Sequence, residues 1–137
     1  MPIMETPVTA LDEPALERLV TLFYGRVRRD PLLAPVFEPA IADWDAHAAK
    51  LVDFWHSVML TSGRYKGPMM ASHLRHRARI APAHVARWLE LWREATAEAL
   101  PPAQAEALRR KAERIAESLS LALFFDPARP RAEFASV

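Results

Sequence analysis

The chain has no cysteine among its 137 residues. That excludes a disulfide framework, an iron–sulfur cluster and a cysteine-based zinc site, and it is compatible with a reducing, cytoplasmic setting. Glycine is scarce, at 3 residues, and tyrosine scarcer, at 2. Turn-dense β architectures draw heavily on glycine, so helices are favoured. Charge of one sign is also missing: 18 basic against 17 acidic side chains leave a formal charge of +1. Such a balance generates no global field for nucleic acid or an anionic membrane. No apolar run approaches the length of a transmembrane helix. The opening MPIMETPVTALDEP has no basic region followed by an apolar core, so no signal peptide is expected.

What remains is a chain of one domain's length with 51% apolar residues, rich in Ala, Leu, Glu and Arg. Its periodicity is helical. Asp12 is placed to cap a helix with Pro14 in its first turn, and Leu16, Leu19, Val20, Phe23 and Val27 recur at spacings of three and four. Asp30-Pro31 ends that helix. PLLAPVFEP is too rich in proline for a long helix and predicts a tight corner or a single short turn ending near Phe37. Asp43 caps a second long helix over 43–62, with Trp44, His47, Leu51, Phe54, Trp55 and Val58 on one face, and TSGRYKG stops it. A short helix over 68–76 follows, then RARIAP as a connection. Pro82 opens a third long helix to about 99 with Val85, Trp88, Leu89 and Trp92 facing inward. LPP breaks the chain, and residues 102–125 form a fourth, bearing Ala105, Leu108, Ala112, Ile115, Leu119, Leu123 and Phe124. Residues 1–12 read as a lead, 13–125 as one all-α domain and 126–137 as a tail.

Five histidines carry most of the chemical information. His84, in the first turn of a helix, reads as solvent filler, and His56, off the apolar stripe, as partly exposed. His47 lies on the apolar face, where an imidazole needs a buried partner or a polar cavity. His73 and His76 are three apart in GPMMASHLRHRARIAP, which would place both on one helix face. Zinc needs three or four protein ligands, and no carboxylate or further histidine sits on these turns. The segment is instead dense in arginine, with Arg75, Arg77 and Arg79, and guanidinium groups repel a divalent cation while attracting carboxylates. A large flat apolar cofactor with an axial histidine and peripheral carboxylates is haem. A domain with six Phe, four Trp and five Met suits such a group.

Four segments in order then resemble one family, the truncated haemoglobins, and within it the third group. LFYGRVRRDPLLAPVF is similar to its helix with a Phe-Tyr pair, a basic end and a corner Phe. WDAHAAKLVDFW is similar to the distal helix, GRYKGPMMASH to the approach to the proximal histidine, and HVARWLELW to the helix with a distal Trp. The resemblance covers about residues 13–125. The glycine motifs of the other truncated groups are absent, as suits the third. The stretch from His73 to Trp88 is about a residue longer than the family pattern, which keeps His76 as a rival to His73.

The resemblance implies an all-α truncated globin fold, a two-over-two helical sandwich around haem b. It implies His73 as the iron ligand, Tyr24 and Trp88 as hydrogen-bond donors to a bound ligand, and His47 as the distal histidine. Phe23 belongs to the Phe-Tyr pair and Phe37 packs on the haem face. Leu51, Phe54 and Trp55 line the distal side, and Met69, Met70, Leu74 and Ile80 the proximal side. Arg75, Arg77, Arg79 and Lys50 are candidates to meet the propionates, with no choice among them. Read one residue at a time, Tyr24, Trp55, Trp88 and Phe37 are equally ordinary core residues, each Trp burying roughly 150–250 Å², and the arginines a solvated helix end.

Two donors near a partly charged dioxygen imply slow oxygen release, and so chemistry on dioxygen, NO or peroxide rather than oxygen delivery. Nitric oxide dioxygenation or peroxidase-like turnover is implied, with CO as a further ligand and a reductase as electron source. A monomer or weak dimer is expected. The contrasting reading is an all-helical interaction domain without haem, whose apolar stripes are core only. A haem-based sensor is not expected, because 137 residues leave no room for an output domain.

Overall fold

The computed structural model describes residues 11–125, and the readings for residues 1–10 and 126–137 lie outside it. Among the described residues the regular elements are helices: α1 (Glu13–Val27), α2 (Ala34–Ala40), α3 (Trp44–Leu60), α4 (Met69–Leu74), a 3-10 turn (Arg77–Arg79), α5 (Pro82–Ala99) and α6 (Pro102–Phe124).

Local chemistry sets most of the boundaries. Asp12 accepts the Ala15 N–H at 3.0 Å and Asp43 accepts the Ala46 N–H at 3.1 Å, each satisfying an orphan donor of a first turn. Proline stands in the first turn of α1, α2, α5 and α6, where its missing N–H costs nothing. α3 ends at Leu60 because Thr61 takes the left-handed conformation, φ 54°. α1 stops at Val27, three residues before Asp30. α2 has 7 residues, so it is longer than the single turn expected. Pro35 sits where no N–H is required, and Pro39 comes late enough that the helix closes one residue beyond it. His84 is not solvent filler. Its Nδ1 accepts the Ala81 N–H at 2.8 Å and so caps α5.

Helix α1 packs against α3, α5 packs against α6, and α1 also lies on α5, while α4 rests on α6. Two helix pairs stacked one on the other make a two-over-two sandwich. The core is the α1 stripe, Leu16, Leu19, Val20, Phe23 and Val27, closed by Leu33, Val52, Trp55, Trp92 and Leu108. Full burial of a side chain such as Leu16, Leu19 or Leu108 contributes about 1.5–3 kcal/mol. Along α5 the deepest positions are Leu91, Trp92, Ala95 and Thr96, while Val85, Trp88 and Leu89 are only half-buried. In α6 the deepest are Gln104, Ala105, Leu108, Ala112 and Ala116. Small residues at 95, 105, 112 and 116 let the two long helices approach closely. Ile115, Leu119, Leu123 and Phe124 are left half-buried.

Candidate functional site

The candidate site draws on α3 on one side and on α4 and its exit on the other. Helix α4 packs on α6, and α3 on α1, but α3 and α4 are not among the substantial pairings of the described helices. The apolar side chains on either side, Leu51 and Phe54 from α3 and Met69, Met70, Leu74 and Ile80 from α4 and its exit, are all only half-buried. The region suits a flat apolar group.

On the α4 side, His73 Nδ1 lies 2.8 Å from the Met69 carbonyl one turn earlier. A carbonyl only accepts, so Nδ1 carries the proton and Nε2 keeps a free lone pair. That is the tautomer of a metal-binding imidazole whose other nitrogen is held by the backbone. His76 does not share this helix. α4 ends at Leu74, and His76 precedes the 3-10 turn, so the two histidines are not side by side on one helical face. Among the described residues no group of three or more His, Asp or Glu has metal-holding geometry.

On the other side, the buried Tyr24 meets His47 edge to face, with ring centres 5.6 Å apart. Phe37 stands 5.9 Å from the Tyr24 ring, and Trp44 stands 6.0 Å from Tyr24 and 6.2 Å from His47. Burial pushes the Tyr24 phenol well above its ordinary pKa, opposed by the Trp88 indole N–H, which is turned to its oxygen. Tyr24 is therefore a neutral phenol, whose O–H can donate. His47 is half-buried. Burial lowers its pKa first, then the charges of Lys50 and His73.

Phe23 and Trp55 lie behind the site. Phe23 is fully buried and packs edgewise on Tyr24, Trp88 and Trp92. Trp55 is 3% exposed and stacks on Trp92 at 4.6 Å. Arg75, Arg77 and Arg79 are exposed, as is Lys50, and none forms an ion pair among the described residues, so they are free to meet carboxylates.

Three further residues shape the site. Trp44 stands one turn before His47 under the Arg28 guanidinium, 4.5 Å above its ring; its place on the α3 apolar face was the available signal. Asp30 is 6% exposed. One carboxylate oxygen accepts the N–H groups of Leu32 and Leu33, and the other accepts Arg87 Nε–H at 2.9 Å. This ties the corner that carries Phe37 to the helix that carries Trp88. The partners are 57 residues apart, and no local pattern announces them. Tyr65 packs edgewise on Phe54 at 5.2 Å and lies across Gly67, where an added Cβ would meet its Oη at 2.6 Å.

The fold and the donor set together define a haem-binding globin. The His73 imidazole stands with Nδ1 at the Met69 carbonyl, and the buried Tyr24 phenol stands beside the His47 imidazole. The family model described as bacterial-like globin matches residues 12–120. A group 3 truncated hemoglobin of Campylobacter jejuni is 30% identical over 94 residues, covering 66% of this chain and 70% of that protein. The crystal structure of the group III truncated hemoglobin from Campylobacter jejuni superposes with a TM-score of 0.75 at 26% identity, covering 83% of this chain and 92% of that one. The chain belongs to the bacterial-like globins, and among them to the group III truncated haemoglobins, and its cofactor is haem. This membership sets aside the reading as a helical interaction domain without a cofactor. No described helix is long and apolar enough to cross a membrane.

Proposed function

We propose that residues 13–125 form a globin unit that holds diatomic ligands tightly and turns them over, with His73 as the iron ligand. When bound, haem would supply an iron able to take a small diatomic ligand or peroxide. The Met69 carbonyl holds the His73 ring and its tautomer. On the distal side Tyr24 donates its O–H to the outer oxygen of a ligand, and Trp88 keeps the phenol aimed there. His47 borders the entrance as a neutral imidazole, its charged form opposed by burial and by the charges of Lys50 and His73. Phe37, Leu51 and Phe54 exclude water from the distal side, and Met69, Met70, Leu74 and Ile80 from the other. Arg75, Arg77, Arg79 and Lys50 neutralise the propionates.

The observation that carries this reading is the buried Tyr24 phenol set edge to face with His47, ring centres 5.6 Å apart, beside Phe37 and Trp44. A hydrogen bond to a partly charged group contributes about 1.5–3 kcal/mol, or about ten- to a hundredfold in dissociation rate. Release that slow opposes oxygen delivery and favours nitric oxide dioxygenation or peroxidase-like turnover, with electrons from a reductase in the cytoplasm. Stopped-flow displacement of dioxygen by CO tests it. Tyr24→Phe is expected to speed release by about ten- to a hundredfold on the same reasoning, and an unchanged rate removes Tyr24 as the donor.

A further inference from the structure

The chain has four Trp and two Tyr, and all six lie in one connected aromatic network. Trp88 is half-buried and meets Phe23 edgewise at 5.0 Å, and Phe23 in turn meets Tyr24 at 4.8 Å. Trp88 stacks on Trp92 at 5.3 Å with ring planes 15° apart, and Trp92 stacks on Trp55 at 4.6 Å and 22°. Phe54 fills the next gap, 5.2 Å from Trp55 and 5.2 Å from Tyr65. Tyr65 is half-buried, in the segment between α3 and α4. Edge-to-face contacts serve ordinary packing, but three near-parallel indoles leading from the ligand site through the core to a solvent-touching phenol do more than fill space.

We propose that Trp88, Trp92 and Trp55 conduct oxidising equivalents from the haem to Tyr65, where an external one-electron donor is oxidised. The proposal rests on the peroxidase-like reading. Hydrogen peroxide takes up two electrons and two protons and leaves as two waters. One of those electrons is drawn through the ladder from Tyr65, which releases its phenolic proton to water and becomes a neutral radical. A phenol-class donor then returns a hydrogen atom and restores it, and the second electron follows the same route.

The surroundings of each ring set the direction. Trp92 is 1% exposed and its N–H donates to the Leu108 carbonyl at 3.2 Å. A carbonyl is no proton acceptor, so an oxidised Trp92 keeps its proton and passes the hole on. Trp44, the side branch 6.0 Å from Tyr24, lies under the Arg28 guanidinium, and that charge disfavours a hole there. Tyr24 is buried, whereas Tyr65 is half-buried and reaches solvent, so its phenolic proton passes to water and it collects the hole. The close fit of Tyr65 across Gly67 keeps its ring on Phe54.

The test uses ferric, haem-loaded protein, hydrogen peroxide, rapid freezing and electron paramagnetic resonance, with oxidised peptides mapped by mass spectrometry. A tyrosyl radical is expected that disappears in Tyr65→Phe. It should fall to background in Trp92→Phe and in Trp55→Phe, with oxidation then accumulating on the peptides of Trp88 and Tyr24. Gly67→Ala, which pushes the Tyr65 ring aside, should lower it with the indoles intact. The optical change of the haem on peroxide addition should keep its rate in Tyr65→Phe, Trp92→Phe and Gly67→Ala. Undiminished Tyr65 radical in both Trp variants overturns the proposal, as does a radical confined to Tyr24. Absence of any optical change in the parent protein sinks the peroxide reading alone. The ladder is then judged with zinc-porphyrin-loaded protein photo-oxidised by a ruthenium(III) ammine. Loss of the tyrosyl signal in Trp92→Phe supports the ladder there, and its persistence overturns it.

Discussion

Asp30→Ala should destabilise the protein while leaving every apolar contact of the core in place. The carboxylate accepts the Leu33 N–H at 3.0 Å, and Leu33 is fully buried. Stranding a buried donor costs about 1–3 kcal/mol. The Leu32 N–H belongs to an exposed residue, so water replaces its bond and it adds little. The Arg87 partner is exposed enough that its ion pair is largely screened. A loss of about 1–3 kcal/mol corresponds to roughly 3–15 °C in Tm for a domain of this size. The assay is thermal unfolding of haem-loaded protein by circular dichroism at saturating haem, which keeps ligand linkage constant. Asp30→Asn, which retains an acceptor oxygen, should recover most of the loss, and Arg87→Met should cost less than Asp30→Ala. The pH dependence has a definite sign. Burial favours the neutral acid, but the bond from Arg87 and the N–H groups of Leu33 and Leu32 outweigh it and hold the Asp30 pKa below its ordinary 3.8. The contribution of the charged form is complete above that value and is lost as pH falls through the lower folded-state pKa. The difference between parent and Asp30→Ala should therefore be constant near neutrality and narrow only in strong acid. If Asp30→Asn is as damaging as Asp30→Ala, the charge and not the cap does the holding, and the reasoning above is refuted.

Three further outcomes can be measured directly. His73→Ala should abolish the five-coordinate ferrous spectrum and His76→Ala should leave it, because only the first ring has its Nδ1 held by a carbonyl; the reverse result reassigns the iron ligand. A double-mutant cycle of Tyr24→Phe with Trp88→Phe on dioxygen release should be non-additive, since the indole acts through the phenol; additive rates would make them independent donors. Thr61→Gly should stabilise by about 0.5–1 kcal/mol, because relief of a β-branched residue in the left-handed region exceeds the entropy glycine adds. A raised urea midpoint at unchanged m checks it.

The parts of this molecule legible along the chain are those decided within one or two turns. Asp12 and Asp43 cap the residues three ahead of them, and prolines open α1, α5 and α6 where no N–H is needed. His73 finds its carbonyl four residues back. The four ordered segments were enough to indicate the family. The same reach explains the misses. His84 was one turn from the N–H it caps, but an imidazole in that position carries no unique signal. α2 outran its prolines because both stood where a helix tolerates them. The inward faces of α5 and α6 kept Trp92, Ala105, Leu108 and Ala112 as expected, and added Leu91, Ala95, Thr96, Gln104 and Ala116, because close approach of the two helices favours small side chains.

The amino-acid sequence by itself determined the helices, their caps and the imidazole tautomer at the site, because each follows from bonds a few residues long. Only the tertiary structure decided that α4 rests on α6 while α3 packs on α1. It alone joined Asp30 to Arg87, turned Trp88 to Tyr24, and brought Trp55 from another helix onto Trp92. Those contacts join residues tens of positions apart. No short-range preference encodes them; they form when apolar stripes on separate helices are buried against one another and the polar groups carried along must find partners.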